Sequence, residues 1–517
     1  MEGNLAATLA LRADTYGWRD RPLFYAGDAT YSHGDVHDAA SRAAGVLHAA
    51  GVRQGHRVLI ALPDSIGFVV ALLGTFRLGA VAVLTGPEQT EAGHAHVLAD
   101  SRPQAAVCAP ELAARFPSVH VLTAEDLTDE PAAVPDPAKL PPDAPAYVQY
   151  TSGTTGPPKG AVHRHTDPEA YFEALAIGAL GVTPDDVIFS VSKACYPYGL
   201  GATVFFPMFC GGSAVLWPDV PTAEGVLEQL RRHRPSLLFT VPTWYARLVG
   251  ATTGRVADMC VGDGRVAAGR VGDGRVGDGR EGVFGSLRAV ASAGEPLLPS
   301  LADRIEDVFG CPVLDGLGST EVGHTFISNT VTRRCRGAVG VVLDPYEITV
   351  RNASKVDGGA AGGKPTEPGV LYVRGPSVMA EYLGRPEQTA EVLAPDGWLR
   401  TGDLVHVDEH GFVHHHGRVR DQLTVSGERV SPLEVERVLG QHPGVVEAVV
   451  VDSADDDAAL RAFVVLATGT MPAPELEAEL LGQVSECLPA HKVPKSVTFL
   501  AELPRTPMGK IHRATLR

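Results

Sequence analysis

Two hydrophobic periods alternate along the first 120 residues. Stretches of helical spacing, Ser32–Ala49 and Ile66–Leu78, are separated by short apolar runs, Arg57–Leu62 and Val81–Leu84. Short apolar runs between helical stretches read as strands of a mainly parallel sheet, because crossover helices cover both of its faces. The alternation returns at Val187–Val191, Ala214–Leu216, Thr222–His233 and Leu237–Val241, which predicts a second βα sheet. Between Val339 and Tyr382 the pattern shortens to strands broken by Gly and Pro, which predicts a small β-rich part that ends near residue 420 at GFVHHHGRVRDQ. The rest has its own pattern. A helix is expected over Pro432–Leu439, strands over Val445–Val451 and Leu460–Leu466, a helix over Glu475–Cys487 and a last strand near Val497–Leu500. This is a small α+β domain on a short link, and the fold class overall is α/β.

Residues 261–280 differ in kind. They read VGDGR-VAAGR-VGDGR-VGDGR, a repeat too poor in apolar surface to offset its ordering entropy. The spacing of calcium-binding nonapeptide repeats is missing, so a disordered surface insertion is expected.

Composition narrows the function classes. At 517 residues, 44% hydrophobic and 20% charged, the chain can bury a sizeable core without staples. The formal net charge of −17, with no dense Lys/Arg run, argues against general binding to nucleic acid or an anionic membrane. A bound polyanion must then meet a local site of backbone N–H groups, a metal ion and a few placed cations. Seven cysteines are scattered with no CxxC pair, so neither a disulfide framework nor a zinc site is expected. No basic-then-apolar leader and no run of membrane-spanning length is present, which points to the cytoplasm.

The chemistry concentrates in residues 150–160, YTSGTTGPPKG. Glycines let the backbone approach a ligand, hydroxyls and exposed N–H groups suit phosphate oxygens, and Lys159 adds a point charge. It is not a Walker A loop, since Gly160 and not Ser/Thr follows Lys159. The string instead resembles the phosphate loop of the adenylate-forming superfamily of acyl-CoA synthetases, adenylation domains and luciferases. Further matches follow in order over nearly the whole chain: SAGEPL (292–297), DGLGSTE (315–321), GWLRTGDL (397–404), GR (417–418), SGERVSPLEVE (426–436) and PRTPMGKIHR (504–513).

The resemblance implies a large N-terminal domain (1–418) of two βα sheet subdomains plus a small β-rich subdomain, a hinge at 419–421 and a small mobile C-terminal domain (422–517). It implies two half-reactions: a carboxylate attacks the α-phosphate of ATP to give an acyl-adenylate, and a thiol then takes the acyl group. Thr151, Ser152, Gly153, Thr154, Thr155 and Lys159 would cradle phosphates. Thr320 would meet the α-phosphate, and Glu321 would ligate Mg²⁺. Gly294, Glu295 and Pro296 would flank the adenine opposite Gly316, Leu317 and Gly318, with Asp315 near its amine. Asp403 and Arg418 would hold the ribose, and Lys510 would be the catalytic lysine. Ser426, Gly427, Glu428 and Arg429 would line the thiol tunnel, and Arg429 and Arg437 are candidates for the CoA nucleotide. Arg420 stands at the hinge, where relatives usually carry Asp or Lys. Leu317 stands where many relatives carry an aromatic residue.

SKACYPYGLG (192–201), DGLGSTEVGHTFISN (315–329) and HRH (163–165) are most similar to the benzoate-CoA ligase branch. Pro197, Tyr198, Ala293, Gly294, Leu317, His324 and Thr325 would then line an acyl pocket. Two readings stand for His324: a partner of the substrate carboxylate or a ring hydroxyl, and a structural histidine. Thr325, polar where benzoate enzymes carry a branched apolar residue, suggests a hydroxylated or larger aryl acid such as a salicylate or naphthoate. The implied co-substrates are ATP, Mg²⁺ and CoA, with a carrier-protein phosphopantetheine as the alternative thiol, in a monomer or homodimer. The HHH run at 414–416 alternates across a strand, 414 and 416 on one face, and reads as an ordinary strand and not as a metal site.

Overall fold

The computed structural model describes residues 3–151, 157–259, 282–351, 368–425, 428–453, 456–467, 469–505 and 511–517. The 261–280 repeat lies outside them.

Local signals set the element ends. Ser32 caps the helix His33–Ala49 with a full capping box, its hydroxyl accepting the Asp35 N–H while Asp35 accepts the Ser32 N–H. Helix Ile66–Arg77 (IGFVVALLGTFR) is buried at every position from 67 to 76. A helix apolar all round cannot sit at a surface, and this one packs against His33–Ala49 and Leu5–Thr15 inside the largest core cluster.

Two sheets flank that core. The first has seven strands in the order Glu381–Tyr382, Gly160–Arg164, Pro145–Tyr150, Val81–Leu84, Arg57–Ala61, Ala105–Cys108, His120–Leu122. The second has nine: Val341–Val342, Thr325–Ser328, Val313–Gly318, Ala289–Ser292, Leu237–Thr240, Val187–Ser190, Ser213–Leu216, Pro22–Ala26, Ala29–Ser32. A separate four-stranded antiparallel sheet joins Glu347–Arg351, Gly369–Arg374, Leu399–Val407 and Val413–Arg418. The C-terminal domain carries a two-stranded and a three-stranded sheet with helices Pro432–Leu439 and Pro474–Cys487 around its own core.

Two strands cross the expected boundaries. Pro22–Ala26, early in the chain, pairs with the second sheet (Phe24 opposite Ala214), not with the sheet its neighbours build. Glu381–Tyr382 leaves the β-rich subdomain to pair with Val162 and Ala161 beside the phosphate loop. Among the described residues no helix is long and apolar enough to cross a membrane, and Cys108, Cys195, Cys210, Cys311, Cys335 and Cys487 are free thiols.

Candidate functional site

The site forms at the C-terminal ends of Ala289–Ser292 and Val313–Gly318, parallel neighbours with Ser292 opposite Asp315. Open α/β sheets bind ligands there, because the loops that leave the strand ends diverge and leave a crevice. The chain leaves Ser292 through Ala293 and Gly294, whose φ of 88° requires glycine. It leaves Gly318 into the short turn Thr320–Val322 and returns antiparallel, Gly318 opposite Thr325.

That turn is held from three directions. His163 places Nε2 2.8 Å from the Thr320 carbonyl and Nδ1 3.0 Å from Asp167. The Met379 N–H donates to the Glu321 carbonyl at 2.7 Å, and the Tyr382 hydroxyl donates to Glu321 Oε1 at 2.7 Å. Burial and the adjacent carboxylate push the Tyr382 phenol well up, so it remains a donor. The Lys159 ammonium sits 4.4 Å from the same ring's centroid, so one tyrosine links the phosphate-loop lysine to the carboxylate. The Thr320 hydroxyl and Glu321 carboxylate are hard oxygen donors of the kind Mg²⁺ takes, and the residues present fit that ion.

Asp403 and Arg418 face each other across the hairpin Leu399–Val407/Val413–Arg418, with Arg418 Nε 3.2 Å from Asp403 Oδ1. His415 Nε2 lies 3.2 Å from the same oxygen. Burial alone would raise the Asp403 carboxyl, but Arg418 and the bond to His415 hold it below the usual range. Asp315 contrasts with it. Burial pushes its carboxyl well up, Arg437 opposes the shift, and Oδ1 is enclosed with no hydrogen-bond partner. An enclosed acceptor without a donor is costly unless a ligand supplies one.

Gly294 and Pro296 are exposed and Leu317 half-buried. The Glu295 carboxylate reaches past the end of the neighbouring strand Leu237–Thr240, accepting the Thr243 N–H at 3.2 Å and hydroxyl at 2.5 Å. Gly316 stands where an added Cβ would lie 2.7 Å from Thr325 Cγ2, so the Gly316–Gly318 segment packs closely on Thr325.

Beside Thr325, Tyr198, Phe206 and Tyr171 surround His324, their ring centroids 5.1–5.4 Å from its own, and Phe239 packs behind Tyr198 and Phe206. Gly201 makes room, since an added Cβ there would lie 2.4 Å from His324 Cδ2. His324 Nδ1 accepts the Thr325 N–H at 2.8 Å, which leaves Nε2 to donate to the Tyr198 carbonyl at 3.2 Å. Burial lowers its pKa to about 3. Both nitrogens of a neutral ring are thus used by the protein. Of the two readings of His324, these bonds favour the structural histidine. The Tyr198 hydroxyl, by contrast, is buried without a partner.

The small domain docks on the same face. Ser431 donates to the His416 carbonyl at 2.7 Å, Ser300 to the Gly440 carbonyl, and Arg505 to the Thr243 hydroxyl at 2.9 Å. Arg437 is largely enclosed, with Asp315 within electrostatic reach, so of the two cations expected to meet a CoA nucleotide only Arg429 is exposed. Arg420, in the short turn Val419–Asp421 where the hinge is expected, has Arg418, Asp421, Asp403 and Glu321 around it. Ser152, Gly153, Thr154, Thr155, Ser426, Gly427 and Lys510 lie outside the described residues. Tyr382, His163 and His415 were not anticipated as site residues, and only the HRH string hinted at one of them.

The AMP-binding enzyme family model matches residues 11–383, and the AMP-binding enzyme C-terminal domain model matches 434–510. The chain is 40% identical over 522 residues to the p-hydroxybenzoic acid–AMP ligase FadD22 of Mycobacterium tuberculosis, covering all of this chain and 69% of that protein. It is 33% identical to the 4-hydroxybenzoate–CoA/benzoate–CoA ligase of Rhodopseudomonas palustris, covering 94% of this chain and 88% of the relative. The fold superposes on a benzoate CoA ligase from Burkholderia xenovorans LB400 with a TM-score of 0.85 at 31% identity, covering 99% of both chains.

Proposed function

The chain belongs to the AMP-binding enzyme family, and from that premise we propose that it is an AMP-forming aryl-acid–CoA ligase acting on a hydroxylated benzoate. The observation that carries the substrate class is the neutral aromatic cluster of Tyr198, His324 and Phe239 at the strand ends that also hold Thr320 and Glu321. A planar ring packs there, and the buried, unpartnered Tyr198 hydroxyl is free to meet a ring hydroxyl. The names of the relatives, hydroxybenzoate and benzoate ligases, support the same class.

The first half-reaction brings a carboxylate to the α-phosphate of ATP, two anions that repel. Bound Mg²⁺ supplies neutralising charge to the phosphates. The chain's own part is to orient them: Tyr382 and the Met379 N–H fix Glu321, His163 fixes the Thr320 carbonyl, and Asp403 with Arg418 holds the ribose. Positioned charge of this kind is a large share of phosphoryl-group catalysis. Lys510 bridges carboxylate and phosphate. In the second half-reaction the small domain rotates about Arg420, and the loop carrying Ser426, Gly427, Glu428 and Arg429 admits the thiol.

The acceptor is CoA under this reading. A carrier-protein phosphopantetheine is the second reading, favoured by one observation: the 40%-identical relative is named an AMP ligase and extends beyond this chain's match. The enzyme works in the cytosol as a monomer or homodimer. Mass spectrometry of products from ATP, Mg²⁺, CoA and a panel of benzoates, salicylates, naphthoates and fatty acids tests the reading. An aryl-CoA with stoichiometric AMP is expected. Aryl-AMP without a thioester transfers the acceptor to a carrier protein, and fatty acyl products overturn the substrate class.

A further inference from the structure

One cluster of ligand-bearing side chains is left unused by this chemistry. It forms where the segment after Thr325–Ser328 meets the turn of the hairpin Leu399–Val407/Val413–Arg418. Ligand atoms of Cys335, Asp408 and His414 lie within 4.8 Å of one another, all three residues half-buried. Asp408 Oδ1 accepts the N–H groups of His410 and Phe412, both at 2.9 Å, which fixes the carboxylate and leaves Oδ2 2.9 Å from His414 Nε2. The His414 ring stacks on His406 with centroids 4.6 Å apart, and His406 Nδ1 is 2.7 Å from His416 Nε2.

The opposite wall is equally held. The Cys335 N–H donates to Asn329 Oδ1 at 2.8 Å. The Arg333 guanidinium donates to the His410 carbonyl and lies 5.1 Å from the Phe412 ring centroid, tying the two segments together. The Cys335 thiol makes one long contact, 3.8 Å, to the Arg336 carbonyl. Thiol, imidazole and carboxylate in one group suit a borderline, tetrahedral ion; magnesium and calcium take oxygen ligands instead.

We propose that Cys335, Asp408 and His414 form a binding site for a zinc-class divalent ion, with water as the fourth ligand, separate from the Mg²⁺ role of Glu321. Two anionic ligands balance the charge of the ion. Of the nearby cations, Arg333 is already committed to the His410 carbonyl, Arg334 and Arg336 beside Cys335 pair with Glu306 and Asp303, and Arg437 acts on the neighbouring His406 and His416. Cys335 binds as the thiolate, so each ion taken up releases one proton to solvent. The strand that carries His414 runs directly through Arg418 into the hinge turn, and Ser431 of the small domain bonds to His416 on it. An ion here pins the hairpin from which the small domain swings. The HHH run alone is an ordinary strand; Cys335 and Asp408, brought to His414 by the fold, turn it into a donor set.

Cobalt titration of the full-length protein without nucleotide tests this. One equivalent of Co²⁺ is expected to develop a thiolate-to-cobalt charge-transfer band, which Zn²⁺ then bleaches. Cys335→Ser is expected to abolish the band, while Cys487→Ser, at an exposed cysteine, keeps it. His414→Gln is expected to weaken binding about tenfold or more. Zn²⁺ should raise the melting temperature of the native protein and not of Cys335→Ser. No band in excess Co²⁺, or a band that survives Cys335→Ser, overturns the proposal.

Discussion

The nucleotide side of the site gathers charge and pairs it, with Glu321 bonded to Tyr382 and Asp403 to Arg418 and His415. A few residues along the same strands, the acyl side removes charge: burial holds His324 neutral, and its neighbours are Tyr198, Phe206 and Tyr171. Under the proposed function one half holds a polyanion and an ion in fixed geometry, which takes oriented charges. The other must select a flat ring, which takes shape and one or two donors. Asp315 lies between them, enclosed and unpartnered at Oδ1; under the proposed function the nucleotide's amine is its partner.

Substitutions that act on one side and spare the other sharpen this contrast. The largest effect is expected for Lys510→Ala. Adenylate formation should fall by a factor of about 100 or more, with thioester formation from a supplied aryl-adenylate retained; equal loss of both, read by separate half-reaction assays, would remove the two-step assignment. Tyr382→Phe keeps the ring under Lys159 and deletes the bond to Glu321. It should lower kcat/KM for adenylation about tenfold, in the range seen for lost support of a metal ligand, and raise the Mg²⁺ requirement, with the KM for the aryl acid unchanged. A shift in the acid's KM alone would break the division between the two sides.

Tyr198→Phe acts on the opposite half. The KM for a hydroxybenzoate should rise about two- to tenfold, one hydrogen bond's worth, while that for benzoate stays level; an equal change for both acids would make the tyrosine a packing residue. The next effect is on stability and follows pH. The folded-state pKa of His324 is about 3, and those of His33, His37, His165 and His416 about 4, all lowered by burial from 6.5. Unfolding therefore takes up protons below about pH 6.5, so this stability is full above that pH and is lost as pH falls toward 4. A melting temperature that is flat from pH 7 to about 5 would contradict it. The smallest effect belongs to deletion of 261–280, expected to leave turnover and melting nearly unchanged in steady-state and calorimetric assays.

Element periods made most of the fold legible in the sequence. The helix Ile66–Arg77, the strands Arg57–Ala61, Val81–Leu84 and Leu237–Thr240 and the C-terminal helix Pro432–Leu439 stand within two residues of the hydrophobic pattern, since burial on one face or all faces writes a local period. What the structure brings together was legible where a motif is contiguous, as for Thr320 beside Glu321, and for Asp403 within TGD and Arg418 within GR, which pair across one hairpin. The state of His324 was not legible, because it depends on a carbonyl 126 residues away.

By itself the sequence determined most of the element order, the division into a large and a small domain, and the family through ordered motifs. Only the tertiary structure decided that Pro22–Ala26 joins the second sheet, that Tyr382 reaches Glu321 and that Cys335 meets His414. The reason is one of range. Periodicity and motif spacing record forces between residues a few positions apart. Pairings such as Glu321 with Tyr382, 61 residues on, exist only once the sheets have packed and brought their strand ends together.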